Sequence, residues 1–372
     1  METFEPHGST QDRFGAYLLP GRVHDPRVAI GQARAAEHTG LSTAWIGERL
    51  GNKDIGPLAA AVAQATTTIK VASGVTNIGL RHPIQLASTA MTLQGLASGR
   101  FILGLGRLNP AAAKAYGLPL VTNAVVADTA ELLRRLCGGE KVSYSGPAGT
   151  FPKLRLTDLP DTAPPPLVFA AIGPKSLELA GTHFDGVLLH PMLTVDAVAR
   201  SAATVRDAAQ RSGRDPSQMR VYASVLVAPE LPEQQEIAAI AARAVTYFQI
   251  VGYGESLTTA NQWDPSPLTQ LRAHPFFDGS TAIADYRFTR YDLTDVAQQC
   301  IPSAWIKAAA AVGSARHCAQ RLAEYLAAGA DELVLHGATP ELLGPLMAHA
   351  ANCTGSTGPA IQGCGNARIG PS

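Results

Sequence analysis

Eight short runs rich in β-branched and aliphatic residues, Ala-rich helical patterns between them, and no G-x-G-x-x-G after the first run together predict the fold class. The chain reads as α/β, a (β/α)8 TIM barrel with insertions after strands 4 and 7. The alternative, a doubly wound open sheet, lacks its glycine signature: the first turn is Leu18-Leu19-Pro20-Gly21-Arg22. The predicted strands cover 14–19, 43–46, 69–75, 101–105, 167–171, 186–189, 219–228 and 332–335. Their apolar runs are too continuous for one wet face, which points to parallel strands covered on both sides. Helices are predicted over 26–39 (Asp25 as cap), 57–66, 83–97, 111–116, 127–137, 174–182, 195–212, 232–251, 314–328 and 340–350. The Gly- and Pro-rich stretch 138–166 is expected as a surface insertion with a hairpin through 141–144 and 154–156. The stretch 252–291 is expected as a second, irregular insertion with an aromatic tip of Trp263, Phe276, Phe277, Tyr286 and Phe288. Residues 1–13 read as an N-terminal arm, 14–350 as the barrel domain, and 351–372 as a tail without fixed structure.

Composition limits the function classes. The 372 residues carry 30 Lys+Arg and 30 Asp+Glu, so no global positive field draws in nucleic acid. Hydrophobic residues are 46%, enough to build a large core. Five cysteines without C-x-x-C give no disulfide framework or zinc knuckle, and reduced thiols point to a cytoplasmic location. The polar start METFEPHGSTQDRF is not read as a signal peptide, and no apolar run is long enough for a membrane span. No motif suggests a metal, a hydrolase elbow or a nucleotide-binding P-loop.

In a barrel the working residues sit at the C-terminal ends of the strands. After the second strand, Gly47-Glu48-Arg49 is either a solvated turn or an acid held by the neighbouring guanidinium. After the third, Gly74, Val75, Thr76 and Asn77 give a bulge with a hydroxyl and an amide, suited to the polar edge of a heterocycle or to a plain Asn turn. After the fourth, Gly106 and Arg107 can admit a phosphate or a flat ring to the backbone. After the fifth, Ile172-Gly173-Pro174-Lys175-Ser176 opens a helix, either as an ordinary Gly-Pro start or as an anion seat. His190 and His336 lie at the ends of the sixth and eighth strands, either facing the pocket or, as is commoner for a single His in a loop, as packed or capped residues.

In this order the strand ends resemble the luciferase-like monooxygenase superfamily, and within it the branch that uses the deazaflavin coenzyme F420. The composite IKVASGVTNIGLRHPIQLASTAMTLQGLASGRFILGL carries most of the likeness. AAIGPKSLELAG with Phe184-Asp185-Gly186, and VGSARHCAQRLAEYLAAGADELVLHG, add to it. The run from Arg107-Leu108-Asn109 to Pro119 is similar to one actinobacterial-type subgroup of F420-dependent oxidoreductases.

The resemblance implies hydride transfer between the deazaflavin C5 and a small organic substrate. It implies a non-proline cis bond at Gly74–Val75 and contacts from Thr76 and Asn77 to the ring's polar edge. Gly106 and Arg107 would lie along the ribityl chain or ring. Backbone N–H groups of Ile172 and Gly173 would meet the phosphate, with Lys175 and Ser176 nearby. Many relatives carry an acid followed by His after the second strand; here Glu48-Arg49 stands instead, leaving Glu48 as the expected proton donor or acceptor. A homodimer through the helices at 57–66 and 83–97 is also implied, an expectation that light scattering checks. The rival readings are an FMN-dependent monooxygenase of the same superfamily, needing a reductase and oxygen, and a non-catalytic barrel that binds a flavin or only assembles.

Overall fold

The structure, a computed structural model, describes residues 13–354 except 21, 51–52, 278, 280–283 and 285–286. Of the expected arm, residues 1–12 lie outside the described residues, as do residues 355–372 of the expected tail; residues 351–354, expected without fixed structure, continue the helix Gly344–Thr354. The barrel strands are β1 Phe14–Leu18, β2 Thr43–Ile46, β3 Lys70–Ser73, β4 Phe101–Gly106, β5 Leu167–Ala171, β6 Gly186–Leu189, β7 Arg220–Pro229 and β8 Glu332–Gly337. Each pairs in parallel with the next, and β8 pairs back onto β1 with Phe14 opposite Leu333. The sheet therefore closes, and the barrel predicted from sequence is the barrel observed.

Alternation along the strands sorts the core into two layers. Outward residues such as Phe101, Leu103, Leu333 and Leu335 pack beneath the helices. Each such burial contributes about 1.5–3 kcal/mol. Inward, the strands supply one ring of side chains, from Tyr17 and Trp45 on β1 and β2 round to Tyr222 and Val334 on β7 and β8. Below it, Glu332 is buried and accepts from Thr43 Oγ1 and Trp45 Nε1, both at 3.2 Å. Burial raises its pKa. This polar plug closes the N-terminal end of the barrel.

Several elements depart from expectation. Asp25 does not cap the first helix, Val28–His38; the N-cap is Arg27, whose N–H the Asp25 carboxylate accepts. The helix expected over 232–251 is two, Glu233–Ala239 and Ala241–Phe248, broken at Ile240 (φ −110°, ψ −72°). The break falls where the chain passes the end of β8: a Cβ on Gly337 would lie 3.2 Å from the Ala239 carbonyl oxygen. The insertion at 252–291 is not irregular, since it holds helices Tyr253–Asn261 and Ser266–Arg272. Its described aromatics form no exposed tip. Trp263 stacks on Trp305 with centroids 4.7 Å apart, Phe277 is buried, and Tyr286 lies outside the described residues. Large rings bury their faces wherever a partner stands, and here the partner lies far along the chain. Helices Thr294–Cys300 and Ser303–Ala309 and a strand Ala310–Gly313, paired to the end of β7, were not read from sequence. The hairpin in 138–166 is present as Val142–Gly146 with Gly149–Leu154. Among the described residues no single helix is long and apolar enough to cross a membrane, and no His, Cys, Asp or Glu cluster could hold a metal.

Candidate active site

Two residues beyond the inner ring of side chains, the same alternation brings a second layer to the C-terminal mouth. On β2 to β5 it consists of Gly47, Gly74, Gly104 and Ala170, and on β6 to β8 of His190, Ser224 and His336. One half of the mouth is thus backbone, and the other half is polar side chains.

The backbone half is tightly made. The Gly74–Val75 peptide is cis. Tyr17 Oη donates to the Gly74 carbonyl at 2.6 Å, and a Cβ on Gly47 would collide with that hydroxyl. A Cβ on Gly104 would fall 1.9 Å from the Ser73 carbonyl oxygen, and one on Gly106 would fall 2.4 Å from Val75 Cγ2. Gly106 is therefore required by the Val75 bulge itself. The sequence reading, which set Gly106 against a ligand, missed this packing reason.

Glu48 holds the far side of the bulge. Its side chain is 3% exposed and forms an ion pair of 2.5 Å with Arg81 Nη2. One carboxylate oxygen also accepts from Thr76 Oγ1 at 2.7 Å, Arg81 Nη1 at 2.8 Å and the Asn77 N–H at 3.2 Å. The guanidinium beside Glu48 is thus that of Arg81, not the adjacent Arg49 expected from sequence. Arg81 is bound in turn to Asp54 at 3.1 Å, and its bond to Glu48 raises its pKa. A cavity of about 480 Å³ opens beside this pair, lined by Glu48, Arg49, Lys53, Asp54, Leu80 and Arg81. Asn77 gives its backbone N–H to Glu48, while its carboxamide makes no hydrogen bond among the described residues.

Arg107 and the fifth-strand loop come together. Arg107 Nη2 donates to Ser176 Oγ at 2.8 Å, Nη1 donates to Asn123 Oδ1 at 2.7 Å, and the guanidinium lies over the Phe169 ring at 5.6 Å. Gly173 is the N-cap of helix Pro174–His183, and no side chain caps it. Pro174 has no N–H, and the Ser176 and Leu177 N–H groups both bond the Gly173 carbonyl at 3.0 Å, so within the first turn the Lys175 N–H is the one left without an intrahelical acceptor. A Cβ on Gly173 would meet nothing within 4 Å, and its φ of −83° suits any residue. Neither backbone nor packing demands glycine there. Lys175 is exposed beside this helix start.

On the polar half, His190 Nδ1 lies 2.8 Å from the Pro191 carbonyl, and the ring stands edge-on to Tyr247 at 4.6 Å. Burial lowers its pKa to about 4. His336 stacks on Tyr17 with centroids 4.6 Å apart. Burial, then the charges of Arg243, Arg290 and Arg49, hold its pKa well below the ordinary imidazole range. Arg243, buried on the helix after β7, donates to Tyr247 Oη at 2.8 Å.

Comparison with known proteins agrees with this architecture. The luciferase-like monooxygenase family matches residues 6–332. A 5,10-methylenetetrahydromethanopterin reductase of Methanolobus tindarius is 31% identical over 261 residues, 68% of this chain and 76% of that protein. An F420-dependent hydroxymycolic acid dehydrogenase of Mycobacterium tuberculosis is 33% identical over 201 residues, 50% of this chain and 55% of its own. The solved coenzyme F420-dependent tetrahydromethanopterin reductase of Methanopyrus kandleri superposes with a TM-score of 0.75 at 22% identity. It covers 91% of this chain and 99% of that one. With a family match over most of the barrel and oxidoreductases as relatives, the chain belongs to the luciferase-like monooxygenase family.

Proposed function

We propose that the chain is an F420-dependent oxidoreductase acting on a small organic substrate. The observation that carries this reading is the uncapped helix start at Gly173–Ser176, bridged by Arg107 and set beside the glycine-rich half of the mouth. A relative 33% identical over half the chain is F420-dependent by name, which supports the choice of cofactor.

The residues fit such a group. Backbone N–H groups at Ile172 and Gly173, with Lys175, Ser176 and Arg107, suit a phosphate. Gly74 and Val75 offer a bulge against which a flat ring can rest, and the unpaired Asn77 carboxamide suits the ring's polar edge, with Thr76 oriented by Glu48. When bound, the deazaflavin supplies hydride acceptance and donation at C5. The chain's own part is to orient the ring, exclude water and manage protons at the substrate. Glu48 serves here as a positioning residue, because direct proton exchange with substrate would need it to release Thr76 or Arg81. The FMN-dependent rival uses the same shelf but consumes oxygen.

Anaerobic mixing with reduced F420 and a panel of aldehydes, ketones and imines tests the reading. Deazaflavin oxidation that needs both protein and substrate is expected. Turnover appearing only with reduced FMN and oxygen would contradict it.

A further inference from the structure

We infer that His336 hydrogen-bonds the substrate's oxygen and exchanges its proton, so that the site takes an alcohol or the matching carbonyl compound. The inference rests on the F420-dependent reading above. It starts from the pleat of β8. Glu332 and Val334 point into the barrel, while Leu333 and Leu335 pack outside. His336 is the next inward side chain and the last before Gly337 ends the strand. It therefore stands at the mouth, across from the glycine shelf.

Its surroundings leave a polar group unmet. His336 is 2% exposed, yet its ring makes no hydrogen bond with any described residue. Nδ1 is fully enclosed without a partner, which leaves Nε2 as the nitrogen through which the ring would meet the mouth. A neutral imidazole has one donor and one acceptor, and each left unsatisfied in a buried place is costly. Stacking on Tyr17 holds the plane of the ring but satisfies neither nitrogen. A hydroxyl or carbonyl oxygen in the mouth would satisfy Nε2, while Nδ1 stays enclosed.

The groups around the ring set its proton affinity. Tyr17 stacks on it from β1. Arg49 acts on it from the loop after β2, His190 from the end of β6, Arg243 from the helix after β7, and Arg290 from the segment whose Nη1 holds the Gly337 carbonyl at 2.9 Å. Burial first, and then the positive charge of Arg243, Arg290 and Arg49, keep His336 neutral near neutral pH and make any proton it takes quick to leave. In the oxidising direction the alcohol O–H bond breaks and its proton passes to Nε2. The C–H bond breaks with its electron pair, which leaves as hydride for the oxidised deazaflavin, and the C=O bond forms. The substrate is oxidised, the deazaflavin is reduced, and the imidazolium returns its proton to solvent. Carbonyl reduction runs the same steps backwards.

His336→Asn and His336→Gln test this in the full chain. F420 affinity, read by fluorescence titration, should be unchanged in both, which also reports an intact fold. Turnover of any aldehyde, ketone or alcohol in the panel should fall about 10²–10⁴-fold. Wild-type alcohol oxidation should be flat from neutral pH upward and fall in acid, and the variants should lose that acid limb. In ¹⁵N-histidine NMR of the F420-loaded protein, trifluoroethanol should shift the His336 Nε2 signal. Turnover within a few-fold of wild type, an acid limb that persists in the variants, or an unmoved Nε2 signal would each overturn the inference. F420 binding with no turnover of any alcohol or carbonyl compound overturns it alone. No F420 binding at all overturns the cofactor reading and this inference with it.

Discussion

Both carboxylate oxygens of Glu48 are taken by neighbours, one by Arg81 alone and the other by Thr76, Asn77 and Arg81 together. Glu48→Gln keeps the shape but removes the charge that orients Arg81 and the Thr76–Asn77 backbone. Hydrogen bonds to a charged group are worth about 1.5–3 kcal/mol, part of which Asp54 retains by still pairing with Arg81. Cofactor affinity should therefore fall by roughly tenfold, about 1.4 kcal/mol, with kcat at saturating cofactor changing much less. The opposite split, unchanged affinity with turnover down by orders of magnitude, would restore Glu48 as the proton-transferring group. The position of Glu48 at the end of β2 was legible in the sequence. Its partner was not, because Arg81 lies 33 residues on and meets it only through the register of β2 against β3. Gly106 shows the converse: a glycine that reads as a ligand contact is fixed first by Val75, in the bulge that follows β3.

Elements are joined by polar contacts that periodicity does not show. Glu37, near the end of the helix Val28–His38, accepts N–H bonds from Thr67, Thr68 and Ile69 at 2.8, 2.6 and 3.0 Å. It thereby fixes the turn that leads into β3. Burial raises its pKa, but the backbone bonds from Thr68, Ile69 and Thr67 outweigh burial and bring it down to about 2. A depressed carboxyl pKa stabilises the fold above the unfolded value of 4.5, and that contribution is lost as pH falls toward 2. Discounted for solvent screening, the effect is about 1–2 kcal/mol. Glu37→Gln should lower the melting temperature at neutral pH and flatten its fall in acid. An unaltered acid limb would show that the turn is held by other contacts. Strands were the best-read elements: β2, β5 and β6 match the sequence to the residue, because these short apolar runs, buried at every position but Ala170, are sharply bounded. The break at Ile240 was invisible because no Pro or Gly marks it. The helices of 252–272 were hidden by aromatics whose partners lie elsewhere in the chain.

At the scale of the whole molecule, closure of the barrel turns eight separate strand ends into one mouth with two unlike halves. Gly47, Gly74 and Gly104, whose Cβ positions are filled by Tyr17, Trp45 and Ser73, form a close-packed backbone wall with Ala170, and His190, Ser224 and His336 stand at the same level on β6 to β8. The candidate residues of β3, β4 and β5 could be named from sequence because each follows a recognisable strand end. Their meeting, with Arg107 reaching Ser176 across 69 positions, depends on closure and could not be read from any one segment. The central claim is that this mouth holds a deazaflavin with its phosphate at the Gly173 helix start. Fluorescence titration of the wild type and Gly173→Val with F420 and with FMN tests it most directly. The account predicts that the wild type binds F420 much more tightly than FMN. It also predicts that Gly173→Val, whose Cβ would meet nothing within 4 Å, keeps the fold and weakens F420 by about 1–3 kcal/mol. Equal or reversed cofactor affinities, or F420 binding unchanged in a natively folded Gly173→Val, would contradict it.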